Sequence, residues 1–394
     1  MSLFATPEIE NGKIVRIYAS ARYPSKQNGN LFFDSDSTPN LLFADEMPLK
    51  MECFYSLIAF RPSHILLSRD VIGGKPLYYN PSNLTISSFK DFCANGDVVE
   101  ILEGEVLKLD YDGNVIDRKV YYFNDVFKKE SKDVDELVQI IEDALLNFKP
   151  KYSCIAFSGG VDSSLLASLY DLQLIAVTAN EKEEEWIKKA AKLTGKDVEI
   201  FRFSERDIRE SLRKIVSIIE TYDAMQVSIA IPIYFATKFA KELGYSKILF
   251  GQGADELFGG YKRYEGLNEF ELEEQLELDV KRLGRNNLVR DNKIAYGNEV
   301  KILTPYLQWS IINAAISIPP AYKLRKVNGE IIRKFILREI ASKYLPKEIA
   351  YRDKKAVQYS TKTMDLLFRI AKREGKRLKD YLEGLKSKAK DFWF

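Results

Sequence analysis

With 394 residues, the chain is longer than a single hydrophobic core usually supports, so two domains are expected. A formal net charge of +2 gives no reason to expect wholesale nucleic-acid binding. The single histidine, His64, excludes a Ser-His-Asp triad, and the 3 cysteines lie too far apart for a zinc site or a disulfide framework. No apolar run is long enough to span a membrane and the start lacks a signal-peptide pattern, so a cytoplasmic protein is expected.

The first part of the chain has the pattern of a β-rich domain. Residues 1–122 alternate short apolar runs with turn signals such as Asp112-Gly113-Asn114. The segment LLSRDVIGGKPLYY, residues 66–79, resembles the RDxxGxKPLYY signature of class II glutamine amidotransferase domains. That resemblance implies an N-terminal-nucleophile-hydrolase-like fold.

The catalytic residue of such domains has no counterpart here. The family uses a cysteine exposed as the first residue after removal of the initiator methionine, but Ser2 occupies that place and the first cysteine is Cys53. The family's glutamine-holding segments also have no counterpart between residues 11 and 51. We interpret residues 1–125 as a degenerate, truncated domain without glutaminase activity, which packs against the rest of the chain and could shape its site. A serine nucleophile is the alternative.

A charged stretch separates this domain from the next. Residues 124–136, NDVFKKESKDVDE, are poor in apolar side chains, so the junction is placed there. The run DELVQIIEDALLNF then repeats apolar residues at helical spacing and begins a second domain, residues 135–394. Strands and helices alternate from here, which favours a parallel sheet with ligands beyond the carboxyl ends of its strands. Ala156 and Val177 lie near two such ends and could line an adenine pocket or simply belong to the core.

The run CIAFSGGVDSSLLA reads as a strand, a loop of small residues and a helix. Gly159 and Gly160 lack the Cβ atoms that would keep a polyanion away from the backbone. Ser163 and Ser164 place hydroxyls beside the free N–H groups of a first helical turn, where phosphate is attracted. An ordinary strand-to-helix turn is the alternative interpretation.

The acidic residue in this loop points to a metal. Asp162 is unsuited to bare phosphate but suits a site in which Mg²⁺ lies between protein and phosphates. The loop is not a Walker loop, because no Gly-Lys-Ser/Thr follows the glycines. Instead SGGVDSS resembles the pyrophosphate loop of N-type ATP pyrophosphatases, which adenylate a substrate.

A second glycine-rich turn follows a later strand, KILF. It places Asp255 and Glu256 at the edge of the same crevice, where either carboxylate could merely cap the next helix. The longer sequence favours a functional site rather than a helix cap alone. ETYD followed by GQGADELFGGYKRY closely resembles the ETYD and SGEGADELFGGYxRY motifs of the asparagine synthetase family. The resemblance extends over nearly all of the second domain.

This resemblance implies an α/β fold, namely a parallel-sheet, adenine-nucleotide α-hydrolase-like synthetase domain with a mainly helical C-terminal part. It implies that Asp162 and Asp255 bind Mg²⁺–pyrophosphate. In the segment 334–356, Lys354 matches a lysine that contacts the phosphates and offsets charge on the departing pyrophosphate, although a lone lysine is usually just solvated. The implied ATP contacts are Ala156, Ser158, Gly159, Gly160, Asp162, Ser163, Ser164, Val177, Gly251 and Gly253.

Departures from the family pattern gather around the expected acceptor. Gln252, a candidate catalytic residue, stands where the synthetases carry glutamate, so charge and basicity are lost while hydrogen bonding remains. Read without a gap, Lys301, Leu303 and Gln308 replace the Glu, Arg and Asp of the family's GVEAR and RVPFLD patterns. A shifted register could recover part of that pattern. We predict a retained ATP half and an altered acceptor half.

The motifs together lead to the hypothesis of an ATP-dependent, amide-forming ligase. A carboxylate, with aspartate favoured, would be adenylated and attacked by ammonia or an amine, and AMP and pyrophosphate would be released. A lactam-forming or other amide synthetase and a non-catalytic nucleotide-binding regulatory module are the alternatives. A separate glutaminase and a homodimer are partners that the sequence leaves open.

The C-terminal tail is basic and ends in aromatic residues. Residues 369–390 carry many lysines and arginines, and the chain ends in Phe392-Trp393-Phe394. Exposed aromatics at a terminus would be unusual, so we expect them to dock on the protein or on a partner subunit. An RNA- or lipid-binding tail is the alternative.

Overall fold

The computed structural model describes residues 2–93, 96–353, 357–385, 387 and 389–392. The expected phosphate-binding lysine, Lys354, lies outside the described residues, as do Trp393 and Phe394. The role of Lys354 and the docking of the tail therefore stay predictions. Phe392, which is described, is half-buried.

Two antiparallel sheets form the N-terminal part of the chain, and a short helix, α1 (Met47–Lys50), lies in sequence between two strands of the second sheet. The strands are β1 (Leu3–Glu10), β2 (Lys13–Ala21), β3 (Lys26–Asn28), β4 (Leu31–Ser35), β5 (Tyr55–Phe60), β6 (Ile65–Arg69), β7 (Tyr78–Tyr79), β8 (Ile86–Ser87), β9 (Val99–Glu100), β10 (Glu105–Leu109) and β11 (Val115–Val120). The strand orders are β2-β1-β8-β7-β9 and β11-β10-β6-β5-β4-β3. Leu3 and Ile86 of the first sheet pack against Ile58 and Leu67 of the second. The predicted β-rich region is confirmed.

A five-stranded parallel sheet forms the centre of the second part. Its strands are β12 (Ser153–Ala156), β13 (Gln173–Thr178), β14 (Val198–Arg202), β15 (Lys247–Leu249) and β16 (Lys301–Leu303), in the order β14-β13-β12-β15-β16. The chain moves outward in one direction from β12 and in the other direction from β15. The loops that follow these two strands therefore leave a crevice at the carboxyl edge, which is where α/β sheets bind ligands.

Helices cover both faces of this sheet. They are α2 (Phe123–Val126), α3 (Val134–Asn147), α4 (Val161–Leu169), α5 (Glu181–Leu193), α6 (Glu205–Ile219), α7 (Ala224–Glu242), α8 (Ala254–Phe258), α9 (Glu269–Lys281), α10 (Val289–Gly297), α11 (Trp309–Ser317), α12 (Phe335–Ser342), α13 (Lys347–Ala350), α14 (Val357–Ser360), α15 (Thr363–Arg373) and α16 (Leu378–Glu383), and a hairpin of β17 (Arg325–Val327) and β18 (Glu330–Ile332) precedes α12. In β12, Ile155 joins one apolar cluster and Cys154 the other, on opposite faces. Burial on both faces explains why residues 154–156 of this strand are all apolar.

The predicted α/β class, with a parallel sheet and many helices, is confirmed. Val71 and Ile72 of the N-terminal part belong to the apolar cluster on one face of the parallel sheet, and Phe89 belongs to the cluster on the other. The two parts of the chain therefore share buried surface, while the domain boundaries at 1–125 and 135–394 stay predictions. Among the described residues, no helix is long and apolar enough to cross a membrane.

Candidate active site

The loop after β12 is held in shape by its own small residues. Gly159 has φ +67°, and a Cβ atom there would lie 2.7 Å from Nε1 of Trp186, which donates a hydrogen bond to the Gly159 carbonyl at 3.0 Å. The Ser163 hydroxyl accepts from the backbone N–H of Ser158 at 3.1 Å and lies 3.3 Å from the Gly160 carbonyl oxygen, to which it donates. The loop thus keeps its backbone groups beside the start of α4, where anions are attracted.

The serines of this loop differ in their surroundings. Ser158 and Ser163 line the cleft described below. Ser164 is fully buried, and its hydroxyl has no hydrogen-bond partner among the described residues. The predicted contact of Ser164 with phosphate would therefore need its backbone rather than its hydroxyl, and it stays a prediction.

The two predicted metal carboxylates are brought together by a lysine. Asp162 lies in the first turn of α4, and Asp255 lies in the first turn of α8, after β15. The Nζ atom of Lys334 lies 2.7 and 2.6 Å from the two carboxylate oxygens of Asp162 and 2.7 Å from Oδ1 of Asp255. The Lys334 side chain is 1% exposed. Sequence reasoning missed this residue, although it is the first lysine of the segment that identified Lys354.

The carboxylates fit a hard divalent cation that takes its other ligands from phosphate and water. No group of three or more His, Cys, Asp or Glu residues that could hold a metal occurs in the described part of the chain. Mg²⁺ in nucleotide sites is commonly bound by one or two carboxylates plus phosphate oxygens, so Asp162 and Asp255 provide a suitable donor set.

A cleft of about 280 Å³ extends from these residues along the carboxyl edge of the sheet. Ala156 and Val177 line it together with apolar side chains of α7, whereas Asp162, Gly251 and Asp255 line its polar part. Gly253 immediately precedes α8, at its N-cap position. The cleft therefore joins an apolar wall, which includes Ala156 and Val177, to the loop after β12, and the predicted adenine contacts of these two residues stay predictions.

Cationic side chains lie beside the glycine-serine loop that follows β12. A groove beside the cleft is lined by Ser158, Gly160, Asp162 and four cationic side chains, namely Arg333, Lys334, Arg338 and Arg352. The guanidinium of Arg352 lies over the ring of Trp186 at 4.3 Å and pairs with Glu183 at 2.8 Å. Such a cluster can neutralise a polyanion. We call the loop 157–160, Asp162, Asp255 and this groove the nucleotide end.

Gln252 also lines the cleft. Its side-chain amide donates a hydrogen bond to the carboxylate of Asp291, and Arg290 donates to the same carboxylate at 2.8 Å. Burial raises the pKa of Asp291, and the neighbouring Arg290 acts in the opposite direction. We call Gln252, Arg290 and Asp291 the acceptor end. It is a closed hydrogen-bond network rather than an exposed acid or base.

A second cavity of about 340 Å³ lies behind the acceptor end, between the N-terminal part and the parallel sheet. It is lined by Asp291 and by the three residues that depart from the family pattern, Lys301, Leu303 and Gln308. Lys301 forms an ion pair with Asp36, and the Gln308 amide donates to a backbone carbonyl, that of Pro305, at 2.9 Å. The departures thus gather on one cavity that adjoins Gln252 through Asp291.

Glu256 does not face the cleft. It is 4% exposed, and it accepts hydrogen bonds from the Tyr261 hydroxyl at 2.5 Å and from the Asn287 amide at 2.8 Å. Burial raises its pKa, while the Tyr261 hydrogen bond lowers it. The residue joins α8 to its neighbours, so only Asp255 of this acidic pair is available to a ligand.

Ser2 is enclosed within the N-terminal sheets. The residue is fully buried, and its hydroxyl contacts the hydroxyl of Ser25. Its carbonyl accepts a hydrogen bond from the N–H of Arg22 at 2.9 Å. The Ser2 hydroxyl is thus enclosed in the packed N-terminal part, and the absence of glutaminase activity stays a prediction.

This combination of a parallel sheet, a glycine-serine loop before a helix and paired carboxylates at the switch point is typical of α/β proteins that bind a nucleotide. A family model described as asparagine synthase matches residues 153–273 and 265–389. A protein of Methanocaldococcus jannaschii, "Putative asparagine synthetase [glutamine-hydrolyzing] 1", is 31% identical over 96% of this chain and 82% of its own length. The chain belongs to the asparagine synthetase family, whose members are ATP-using, amide-forming ligases.

Other relatives match less of their own length. "Asparagine synthetase [glutamine-hydrolyzing]" of Sandersonia aurantiaca is 28% identical over 76% of this chain and 62% of its own length. "Asparagine synthetase, root [glutamine-hydrolyzing]" of Pisum sativum is 30% identical over 51% of this chain and 38% of its own length. The chain therefore spans well under half of the pea protein.

Proposed function

We propose that this chain adenylates a carboxylate with ATP and transfers ammonia or an amine to it, with release of AMP and pyrophosphate. Aspartate is the favoured acyl substrate, and the parallel-sheet part is an adenine-nucleotide α-hydrolase-like domain. The observation that carries the proposal is the meeting of Asp162 and Asp255 at the mouth of the phosphate loop. A site that only bound nucleotide would have little use for a second metal carboxylate.

The nucleotide end would bind ATP with its polyphosphate across the loop and its base against the apolar wall of the cleft. Mg²⁺ held by Asp162 and Asp255 would neutralise phosphate charge when bound. The loop N–H groups at the start of α4, together with Lys334 and Arg352, would orient the phosphates and balance charge on the leaving pyrophosphate. Lys354 is proposed for the same task. Much of the rate enhancement would come from such positioning and charge balance.

The acceptor end would hold the carboxylate to be activated. Gln252 can orient it by hydrogen bonding but cannot take a proton from the attacking ammonia or amine. We therefore propose that the nitrogen nucleophile arrives neutral, as ammonia or a free amine, and that the N-terminal part does not hydrolyse glutamine. A separate glutaminase could supply the ammonia.

A second candidate is an amide- or lactam-forming ligase that acts on a carboxylate other than aspartate. The specific observation in its favour is that Gln252 contacts Asp291, which shares a cavity with the three off-pattern residues. The residues that depart from the family pattern change the charge around the acceptor end, while the residues of the nucleotide end keep that pattern.

The test is substrate-dependent exchange of labelled pyrophosphate into ATP, run with Mg²⁺ against a panel of amino acids and other carboxylates. The expected result is exchange with one carboxylate and, after addition of ammonia or an amine, equal amounts of AMP and pyrophosphate. Asp162→Asn is the negative control. Formation of ADP and phosphate would overturn the adenylation proposal, and exchange with an acid other than aspartate would select the second candidate.

A further inference from the structure

Lys334 is a buried ammonium group placed between two carboxylates that lie at the starts of two different helices, α4 and α8. The Nζ atom lies 2.6 to 2.7 Å from oxygens of Asp162 and Asp255, within ion-pair distance of both, and it also donates hydrogen bonds to Asp162. Asp162 and Asp255 keep side-chain exposures of 21% and 18%, whereas Lys334 keeps 1%. The lysine is therefore the enclosed partner, and the carboxylates remain open to the cleft.

The backbone around Lys334 directs its side chain toward both carboxylates. Lys334 has φ +57°, a left-handed conformation that side-chain-bearing residues adopt at a cost, and it sits between the β17–β18 hairpin and α12. A Cβ atom at Gly260 would lie 2.3 Å from Cε of Lys334 and 1.8 Å from Oδ1 of Asp255. The neighbouring Arg333 donates to the Gly260 carbonyl at 3.1 Å. The absence of a side chain at residue 260 is thus what gives the ammonium group access to both carboxylates.

An ammonium group and a divalent cation cannot both occupy the space between the same oxygens. Mg²⁺ requires carboxylate oxygens at about 2.0–2.1 Å, and it loses its water shell reluctantly. Binding of the metal alone would have to displace Lys334 from both carboxylates into a groove that also holds Arg333, Arg338 and Arg352, and in which Glu183 is already paired with Arg352. That displacement would cost free energy, because an uncompensated buried charge is unfavourable.

We propose that Lys334 holds the place of the divalent cation between Asp162 and Asp255 until a nucleotide binds, so that metal enters only together with the phosphates. The inference rests on the proposed function, because it takes the nucleotide to be the ligand of this site. Lys334, Arg338 and Arg352 line the groove beside the loop. Phosphate oxygens bound in this groove give the displaced ammonium group a new partner. Lys334 thus makes binding of metal and nucleotide interdependent, in addition to its proposed contact with the phosphates.

The experiment measures metal binding to the full-length protein without nucleotide, with Mn²⁺ titration followed by electron paramagnetic resonance. The wild-type protein is expected to bind Mn²⁺ weakly, and Lys334→Met to bind it at least tenfold more tightly. Asp162→Asn added to Lys334→Met should remove this gain, which would place the metal at the carboxylate pair. Lys323→Met is the matched control: it removes another buried lysine, 4% exposed, from the same region outside the site, and should leave Mn²⁺ binding at the wild-type level.

Thermal unfolding gives a second readout that does not depend on turnover. Lys334→Met should melt below wild type in EDTA, because Asp162 and Asp255 then lose the ammonium group they share, and Mg²⁺ alone should restore its melting temperature. Wild type should respond only to Mg²⁺ with nucleotide. If the methionine variant does not fold, Lys334→Gln, which keeps a hydrogen-bond donor without the charge, takes its place.

Tight Mn²⁺ binding by the nucleotide-free wild type, equal to that of the variant, would overturn the inference. Failure of the pyrophosphate-exchange assay would instead count against the proposed chemistry. The two failures are distinguishable, since metal binding is measured without any acyl substrate or reaction.

Discussion

The nucleotide end and the acceptor end balance their buried charges in different ways. At the nucleotide end, the ammonium group of Lys334 pairs with both Asp162 and Asp255, and a metal with a polyanion could replace these contacts. At the acceptor end, the Asp291 carboxylate is compensated by the guanidinium of Arg290 and by the Gln252 amide, all within the protein. The first arrangement suits a site where bound ligands replace the charges that the protein supplies. The second suits a surface whose hydrogen bonds stay fixed when a ligand binds.

The acceptor end also depends on the N-terminal part of the chain. Lys75, within the signature at 66–79, donates a hydrogen bond to Asn292 at 2.9 Å and lies 3.4 Å from a carboxylate oxygen of Asp34. The Asn292 amide in turn donates to the Gly74 carbonyl at 2.8 Å. Because Asn292 directly follows Asp291, the N-terminal part supports the helix that carries the acceptor end. No comparable contact reaches the nucleotide end among those described.

The largest effect is expected at the nucleotide end. Asp162→Asn and Asp255→Asn should each lower turnover by at least about 100-fold, because each removes a charge that balances the metal at the phosphates. Steady-state assays of AMP formation at saturating ATP measure this loss. Asp171→Asn, an exposed carboxylate of the same domain, should retain wild-type rates. Near-normal turnover in either site variant would break the assignment of the metal carboxylates.

A second prediction tests whether the acceptor end tolerates a family-like residue. Gln252→Glu would place a second carboxylate against buried Asp291, so the hydrogen bond becomes a repulsion between like charges. We expect kcat/KM for the carboxylate to fall about tenfold, equivalent to about 1.4 kcal/mol, with KM for ATP nearly unchanged.

The double variant Gln252→Glu/Asp291→Asn is the matched control for that prediction. It reverses donor and acceptor, since the new asparagine amide can donate to the new glutamate, and it should recover part of the lost activity. Faster turnover of Gln252→Glu alone with aspartate and ammonia would contradict this account. It would mean that a carboxylate at residue 252 acts as a base or as a negative charge in the reaction of aspartate, and that the contact with Asp291 is unimportant.

A third prediction concerns the support from the N-terminal part. Lys75→Met leaves the fully buried Asp34 without its nearby cation, so we expect a loss of stability of about 3 kcal/mol. Loss of the Asn292 contact should also raise KM for the carboxylate about threefold, with ATP binding unaltered.

The double variant Asp34→Asn/Lys75→Met separates the two effects. Removing both charges should return most of the stability, measured by denaturant unfolding, whereas the raised KM for the carboxylate should persist because Asn292 still lacks its donor. If KM recovers together with stability, the contact matters for folding only and the link to the acceptor end fails.

The features that sequence reasoning could predict are those set by local pattern and sheet topology. The strand, small-residue loop and helix around Asp162 are contiguous in sequence. The meeting of Asp162 with Asp255 follows from parallel strands whose carboxyl ends share one edge of the sheet. Ser164 shows the limit of that reasoning, because it lies at the fourth helical position of α4, where its side chain turns into the core.

The contacts that sequence reasoning could not predict join residues far apart in the chain. Lys334 is separated from Asp162 by 172 positions, and Lys75 from Asn292 by 217. Whether such side chains meet depends on backbone placement, such as the left-handed conformation of Lys334, which no local propensity indicates. Lys301 pairs with Asp36 for the same reason, through the packing of the two parts. The motif at 334–356 contained the signal for Lys334, but no pattern separated it from the other lysines.

The smallest effect is expected at Ser2. Ser2→Ala removes a buried hydroxyl–hydroxyl contact with Ser25, so the stability change should be about 1 kcal/mol or less. Turnover with ammonia should be unchanged, and glutamine should not support turnover in either protein, because the Ser2 hydroxyl is enclosed between packed strands. The measurement is glutamate release from glutamine by the purified chain, with ammonia-dependent AMP formation as the reference. Glutamate release by wild type that disappears in Ser2→Ala would show an active N-terminal nucleophile, and the N-terminal part would then supply nitrogen rather than only support the acceptor end.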